Sequence, residues 1–228
     1  MSGIKKIIFK KEFNRDKYID DTLRMDPEKL YTGGYQSPKL IIDRIIENVK
    51  DVNSMLELGC SAGIYAKFLE NKLNRKIIKH GVDNNEISIN AKILDKYFIE
   101  DVFEFQPKIK YDLVYSLGLY EHFNFTQRKL LFLKHVECSS RYVIIGFPNV
   151  FLSLRYLTIK VFDDFWAGNH HYFFNPDEII NMATQEGLRV VLYEYLGNFD
   201  ILQKVFKFSK KLKNRFFNDY CLIILEKK

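Results

Sequence analysis

Residues 52–63, Val-Asn-Ser-Met-Leu-Glu-Leu-Gly-Cys-Ser-Ala-Gly, constrain the fold of this chain more than any other stretch. The run from Val52 to Leu58 reads as a buried strand and carries one carboxylate, Glu57. It stops at a loop of small residues that opens into helical spacing, with Ala66, Phe68, Leu69 and Leu73 on one face. Gly59 and Gly63 permit a tight turn and let backbone N–H groups approach a ligand that a Cβ would obstruct. The following helix points its positive end at that loop, a seat for an anionic group. Burying Glu57 without partners costs several kcal/mol, so the carboxylate has a purpose in this corner. A strand, a glycine turn and a helix in that order make a nucleotide-type binding corner.

Three ligand classes compete for it. The dinucleotide fingerprint G-x-G-x-x-G lacks its middle and last glycines here, which argues against a nicotinamide or flavin. Gly59-Cys60-Ser61-Ala62-Gly63 matches the G-x-S-x-G nucleophile elbow of serine hydrolases, with Ser61 as nucleophile. That elbow lies deep in its fold, whereas a short, mostly helical segment precedes this one. The run Glu57-Leu58-Gly59-Cys60-Ser61-Ala62-Gly63 resembles the first motif of class I S-adenosylmethionine (SAM) dependent methyltransferases, acidic-x-Gly-x-Gly-x-Gly, with Ser61 in place of the central glycine.

Downstream landmarks follow in the order that family uses. Residues 77–83 read as a second strand ending in Asp83, about twenty residues past the loop, where a doubly wound fold places the acid for ribose hydroxyls. Tyr97-Phe98-Ile99 is a third strand ending in Glu100-Asp101-Val102. Residues 111–116 form a fourth, followed by Leu119-Tyr120-Glu121-His122-Phe123, similar to the family's Glu-His segment. The resemblance covers residues 37–146. It implies a cofactor set of Glu57, Gly59, Ser61, Gly63, Asp83, Asn84, Asp101, Val102, Ser116 and Leu117. Asp83 would hold the ribose hydroxyls, Asp101 the adenine amino group, and Ser116-Leu117 the methionyl end. His122 sits past the fourth strand, bordering the ligand crevice of an open α/β sheet, and an imidazole there is suited to accept a proton. The alternative role for Glu121-His122 is to buttress the loop under the cofactor.

The remaining pattern completes an α/β chain. Ser37-Pro38 starts a helix with an N-cap and a first-position proline, followed by Leu40, Ile41, Ile45 and Ile46. Residues 126–136 are helical and 141–146 form a fifth strand; Asn175-Pro176 starts a further helix, and strands follow at 188–195 and 221–226. The expected fold is a Rossmann-like, doubly wound, seven-stranded sheet, mostly parallel with an antiparallel last strand. It would form one domain over residues 1–228, with an N-terminal helical extension (1–36), an aromatic lid (147–175) and a basic insertion (198–220). The lid supplies Arg155, Trp166, His170 and His171 as candidate acceptor contacts. His170 and His171 lack a third ligand at a recognisable spacing, so no metal is expected.

Composition bounds the function classes. At 228 residues, 47% hydrophobic and 15% aromatic, the chain can fill a core that buries roughly 70% of its unfolded surface. Cys60, Cys138 and Cys221 are scattered and odd in number, so neither a disulfide framework nor a zinc knuckle is indicated. With no signal-type apolar region and no span able to cross a bilayer, a cytoplasmic enzyme is expected. The activity implied by the resemblance is methyl transfer from SAM to an oxygen or nitrogen of a small-molecule acceptor. Net charge is +6 and the insertion is lysine-rich, which motivates an RNA methyltransferase as the alternative. No added nucleic-acid-binding domain is visible, so nucleic acid is the lesser partner. A non-catalytic SAM-binding module is a further rival. Neither the acceptor nor the oligomeric state is legible in the sequence.

Overall fold

Residues 31, 38–86, 91–149, 172, 174–197 and 220–228 are described by the structure, a computed structural model of the chain. They run in the order α1 (Pro38–Asn48), β1 (Ser54–Leu58), α2 (Ile64–Leu73), β2 (Ile78–Asp83), β3 (Lys96–Ile99), β4 (Tyr111–Leu117), a 3₁₀ turn (Tyr120–His122), α3 (Phe125–Cys138), β5 (Ser139–Pro148), α4 (Asp177–Gln185), β6 (Arg189–Leu196) and β7 (Tyr220–Glu226). The strands form one seven-stranded sheet in the order β3-β2-β1-β4-β5-β7-β6. Pairing is parallel from β3 through β5, and β7 lies antiparallel between β5 and β6.

The central strands alternate between two cores because successive side chains point to opposite faces. Leu56, Val114, Val143 and Ile145 pack with Leu131 and Phe132 of α3 and with Ile179 of α4. Met55, Leu113, Tyr142 and Ile144 pack with Ile41, Ile42 and Ile45 of α1 and with Ala66 and Leu69 of α2. Both faces are covered, which is why these strands read as near-continuous apolar runs. Helix α3 starts where Asn124 accepts from the Gln127 N–H while the Gln127 side chain accepts from the Asn124 N–H, a reciprocal cap.

Two expected boundaries move. Phe147 and Pro148 belong to β5, and Phe174 is a core residue stacked on Phe147 with ring centroids 4.7 Å apart. Pairing of β5 with β7 continues to Pro148, so the ends of the expected lid are drawn into the sheet's packing. Tyr220, assigned from the sequence to the basic insertion, opens β7, where it pairs with Pro148 and Leu196. An aromatic side chain that can be buried extends the ladder by one residue. Apart from Asn149, Tyr172 and Asn175, the rest of the lid, including Arg155, Trp166, His170 and His171, lies outside the described residues, as do residues 198–219 and all of the N-terminal extension except Tyr31. Among the described residues no helix is long and apolar enough to cross a membrane.

Candidate functional site

Strand order reverses between β1 and β4, with β2 and β3 on one side and β5, β7 and β6 on the other. The loops after β1 and β4 therefore diverge and leave a crevice at the carboxyl ends of the strands. The turn after β1 occupies it. Gly59, Ser61 and Gly63 have φ of +72°, +45° and +74°, so three alternate residues of the turn are left-handed. Glycine adopts that conformation freely, whereas Ser61 holds it at a cost. Gly63 also caps α2, directing that helix's N-terminus at the turn.

Neighbouring groups fix the turn. The N–H groups of Gly59 and Cys60 both donate to the Val82 carbonyl, at 2.8 and 3.1 Å. At the end of β2, Asp83 accepts from the Ser61 N–H through Oδ2 at 2.8 Å and from the Asn85 N–H through Oδ1 at 3.0 Å. The Tyr97 hydroxyl donates to the Ala62 carbonyl at 3.3 Å. A Cβ on Gly59 would lie 2.8 Å from Leu119, so the segment after β4 rests directly on the turn. On Gly81 of β2 a Cβ would lie 2.6 Å from Cys60 and 2.5 Å from Leu94. Gly81→Ala is therefore expected to cost about 1–3 kcal/mol through overpacking. A denaturant midpoint equal to that of the wild type would show that Cys60 and Leu94 give way freely.

Glu57 is buried beside the turn, on the strand face shared with Tyr115, whose hydroxyl donates to Glu57 Oε2 at 3.1 Å. Burial pushes the Glu57 carboxyl well above the usual carboxylate range; the Tyr115 bond opposes that rise and the Asp83 charge adds to it. Asp101 follows β3, is exposed, and accepts from the Phe103 N–H through Oδ1 at 2.9 Å, ordering the turn behind it. Val102 is buried in the core beside it. Glu57, the turn, Asp83, Asn84 and Asp101 thus lie on the carboxyl ends of three adjacent strands, β1, β2 and β3.

Ser116 is placed differently from the sequence expectation for its side chain. It is fully buried, and its hydroxyl lies 3.0 Å from His135 Nε2 on α3. That leaves only its backbone to meet a ligand; Leu117 closes β4 next to it, half-buried. Burial lowers the His135 pKa to about 4, so this imidazole is a neutral structural partner of Ser116 and of the Leu131 carbonyl, which lies 2.8 Å from Nδ1. His135 thus pairs with Ser116, on the far side of β4 from the Ser61 turn.

His122 closes the 3₁₀ turn after β4 and is partly exposed, consistent with access to the crevice. Glu121, beside it, is buried, and burial raises its carboxyl to about 8. From the sequence, Glu121 enters only with His122 in the alternative buttressing role, and Tyr220 only as the end of the basic insertion. The signals that could have marked them are Gly118, just past β4, and Gly146, within β5, where a Cβ would meet Glu121 and Tyr220. Among the described residues no group of three or more His, Cys, Asp or Glu is placed to hold a metal ion.

Comparison with known proteins agrees with this architecture. No family model matches the chain. A segment of 82 residues is 33% identical to malonyl-[acyl-carrier protein] O-methyltransferase 2 of Ilyobacter polytropus. That match takes in 33% of this chain, and the chain spans only 32% of that relative's length. Among solved structures, a SAM dependent methyltransferase from Archaeoglobus fulgidus superposes with a TM-score of 0.64 at 20% identity, covering 88% of this chain and 97% of that one. Magnesium protoporphyrin IX methyltransferase from Synechocystis, crystallised with S-adenosylhomocysteine, gives 0.61 at 13% identity over 85% and 83%. The N-methyltransferase NodS from Bradyrhizobium japonicum, in complex with the same product, gives 0.58 at 14% identity over 94% and 98%. The chain has the class I methyltransferase fold.

Proposed function

We propose that this chain is a SAM-dependent methyltransferase acting on an oxygen or nitrogen of a small molecule. The observation that carries the reading is the left-handed turn Gly59–Gly63, tied through Ser61 to Asp83 at the strand-order reversal of a class I methyltransferase fold. The residues present fit SAM. At Gly59 and Gly63 the space a Cβ would take is filled by Leu119 and Leu94, which hold the turn in shape, and the α2 N-terminus suits the methionyl carboxylate. Asp83 lies where ribose hydroxyls would be held, and Asp101 keeps Oδ2 for the adenine amino group. SAM supplies an electrophilic methyl group on a sulfonium centre.

The chain's own groups then have separable tasks. The turn, Asp83, Asn84, Asp101 and Val102 bind and orient the cofactor, and Leu117 borders its methionyl end. Alignment of acceptor with methyl carbon accounts for most of the rate in such a reaction. His122 takes the acceptor's proton where the acceptor must lose one. Arg155, Trp166, His170 and His171 remain proposed acceptor contacts. The relatives named for malonyl-[acyl-carrier protein] and magnesium protoporphyrin IX support an acceptor that is not nucleic acid. All three cysteines are buried as thiols, in keeping with an enzyme of the reducing cytoplasm.

Calorimetry tests the cofactor. SAM should bind, and Asp83→Ala should weaken it roughly ten- to a hundredfold, because Asp83 would serve both the ribose and the Ser61 N–H. Absence of binding by the wild type, or unaltered affinity in the variant, would remove the reading.

A further inference from the structure

Two buried side-chain oxygens at the carboxyl edge of the sheet have no hydrogen-bond partner among the described residues: Glu121 Oε2 and Tyr220 Oη. Each belongs to a residue only 3% exposed. Buried polar atoms are nearly always bonded, and leaving one unbonded costs about 1–3 kcal/mol. Two such atoms in one neighbourhood call for a common explanation.

The neighbourhood is set by strand pairing. Glu121 follows β4 and Tyr220 opens β7, a hundred residues away in sequence, with β5 between them. The Gly118 N–H donates to the Gly146 carbonyl at 2.8 Å, joining the ends of β4 and β5. A Cβ on Gly118 would lie 3.5 Å from Glu121 Oε1, and a Cβ on Gly146 would lie 2.6 Å from Tyr220 Oη. The carboxyl and the phenol therefore lean over two glycines bonded to each other, in space that any other residue at position 146 would fill. Burial first, and then Tyr65, Glu121, Cys221 and Glu57, raise the Tyr220 phenol, which places Glu121 among its electrostatic neighbours.

We propose that Glu121 and Tyr220 form a two-donor subsite that takes a carboxylate or carbonyl oxygen of the methyl acceptor. The role assigned to the ligand rests on the methyltransferase reading; the subsite itself rests on the two unbonded oxygens. Burial keeps both groups protonated at neutral pH, the carboxyl with a pKa of about 8 and the phenol well above its ordinary value. Each then offers an O–H and lacks an acceptor. One oxygen with two lone pairs completes both, whereas an ammonium group would add donors where donors are already in excess. The side of the crevice also decides the occupant. Glu57, Asp83 and Asp101 end β1, β2 and β3, so the nucleoside reading takes that side. Glu121 follows β4, beside His122 in the chain, and Tyr220 opens β7, so both lie on the other side of β1 from β2 and β3.

The test uses the full chain saturated with S-adenosylhomocysteine, and trifluoroacetate as the probe, followed by fluorine NMR. The wild type should bind the probe, and Tyr220→Phe should bind it at least about tenfold more weakly, the effect of one lost hydrogen bond to a charged group. Glu121→Gln keeps a donor and should bind at mildly acidic pH much as the wild type does. Wild-type affinity should fall as pH rises through about 8, where Glu121 ionises and repels the anion. The glutamine variant should lose that dependence. The other titratable groups bearing on the pair, Glu57, Tyr65 and Cys221, are unchanged in both variants. Absence of probe binding in a protein that binds S-adenosylhomocysteine, or equal affinity in Tyr220→Phe with its melting temperature preserved, would overturn the proposal. So would a Tyr220→Phe variant that loses S-adenosylhomocysteine instead of the probe, because the pair would then belong to the cofactor. Titration without S-adenosylhomocysteine separates the two readings: a protein that binds the probe but not the nucleoside keeps the subsite and loses the methyltransferase.

Discussion

Replacing His122 with alanine should lower turnover by roughly 10²–10⁴ while SAM affinity stays close to wild type, the signature of a lost proton acceptor. His122 ends the 3₁₀ turn that follows β4, so its ring is carried on the element just past the carboxyl end of that strand. Its neighbours in that turn, Tyr120 and Glu121, are buried, whereas His122 is partly exposed. The turn is held from below: the His122 N–H donates to the Leu119 carbonyl at 3.2 Å, and Leu119 lies against Gly59. Removing the imidazole leaves that backbone arrangement in place, which is why cofactor binding should survive. Single-turnover measurement with an identified acceptor, paired with calorimetry, decides the matter. A fall of less than about tenfold would make the residue scaffolding, well short of general-base magnitudes. Loss of SAM affinity would place it under the cofactor.

Glu121→Gln should flatten the loss of stability toward alkaline pH. In the unfolded chain this carboxyl ionises near its ordinary value of 4.5; in the folded protein, burial holds the proton until about pH 8. Between those limits the folded state binds more protons than the unfolded one, so the group's contribution is full below pH 4.5 and is lost as pH rises to about 8. The difference corresponds to an upper limit of about 5 kcal/mol. His135 acts in the opposite direction and in a lower window. Its folded pKa of about 4 lies below its ordinary 6.5, so its contribution is present above 6.5 and lost as pH falls toward 4. His135 and Glu57 are common to both proteins, so the comparison isolates Glu121. Urea unfolding at pH values on either side of neutrality should show the wild type losing several kcal/mol toward alkaline pH while the glutamine variant loses far less. Identical profiles would mean that Glu121 ionises in the folded state without penalty.

Much of the molecule was legible because local and global demands coincide in it. The turn after β1 needs left-handed backbone at 59 and 63, and glycine stands at both positions. Strand ends at Asp83 and Asp101 are marked by a carboxylate after an apolar run, and the first helix by Ser37-Pro38 before Ile41, Ile42 and Ile45. Seven strands follow from the alternating periods, and the antiparallel last member from the resemblance to class I methyltransferases. Motif order added the ligand class that periodicity alone does not carry.

What escaped depends on partners distant in sequence. Ser116 looked like a cofactor contact, yet its hydroxyl meets His135 on a helix that returns across the far face of the sheet. Phe174 looked like lid and is core, because Phe147 is close by on β5. Tyr220 looked like the end of a basic insertion; only pairing with Pro148 and Leu196 makes it a strand residue and sets its hydroxyl over Gly146. The sequence by itself determined the binding corner, the strand count and the acids at the strand ends, since each is a matter of local backbone conformation and side-chain period. Tertiary structure alone decided which buried polar groups are satisfied and which are left unbonded, because the energy of a buried hydroxyl or carboxyl is set by what the rest of the chain brings within hydrogen-bonding distance.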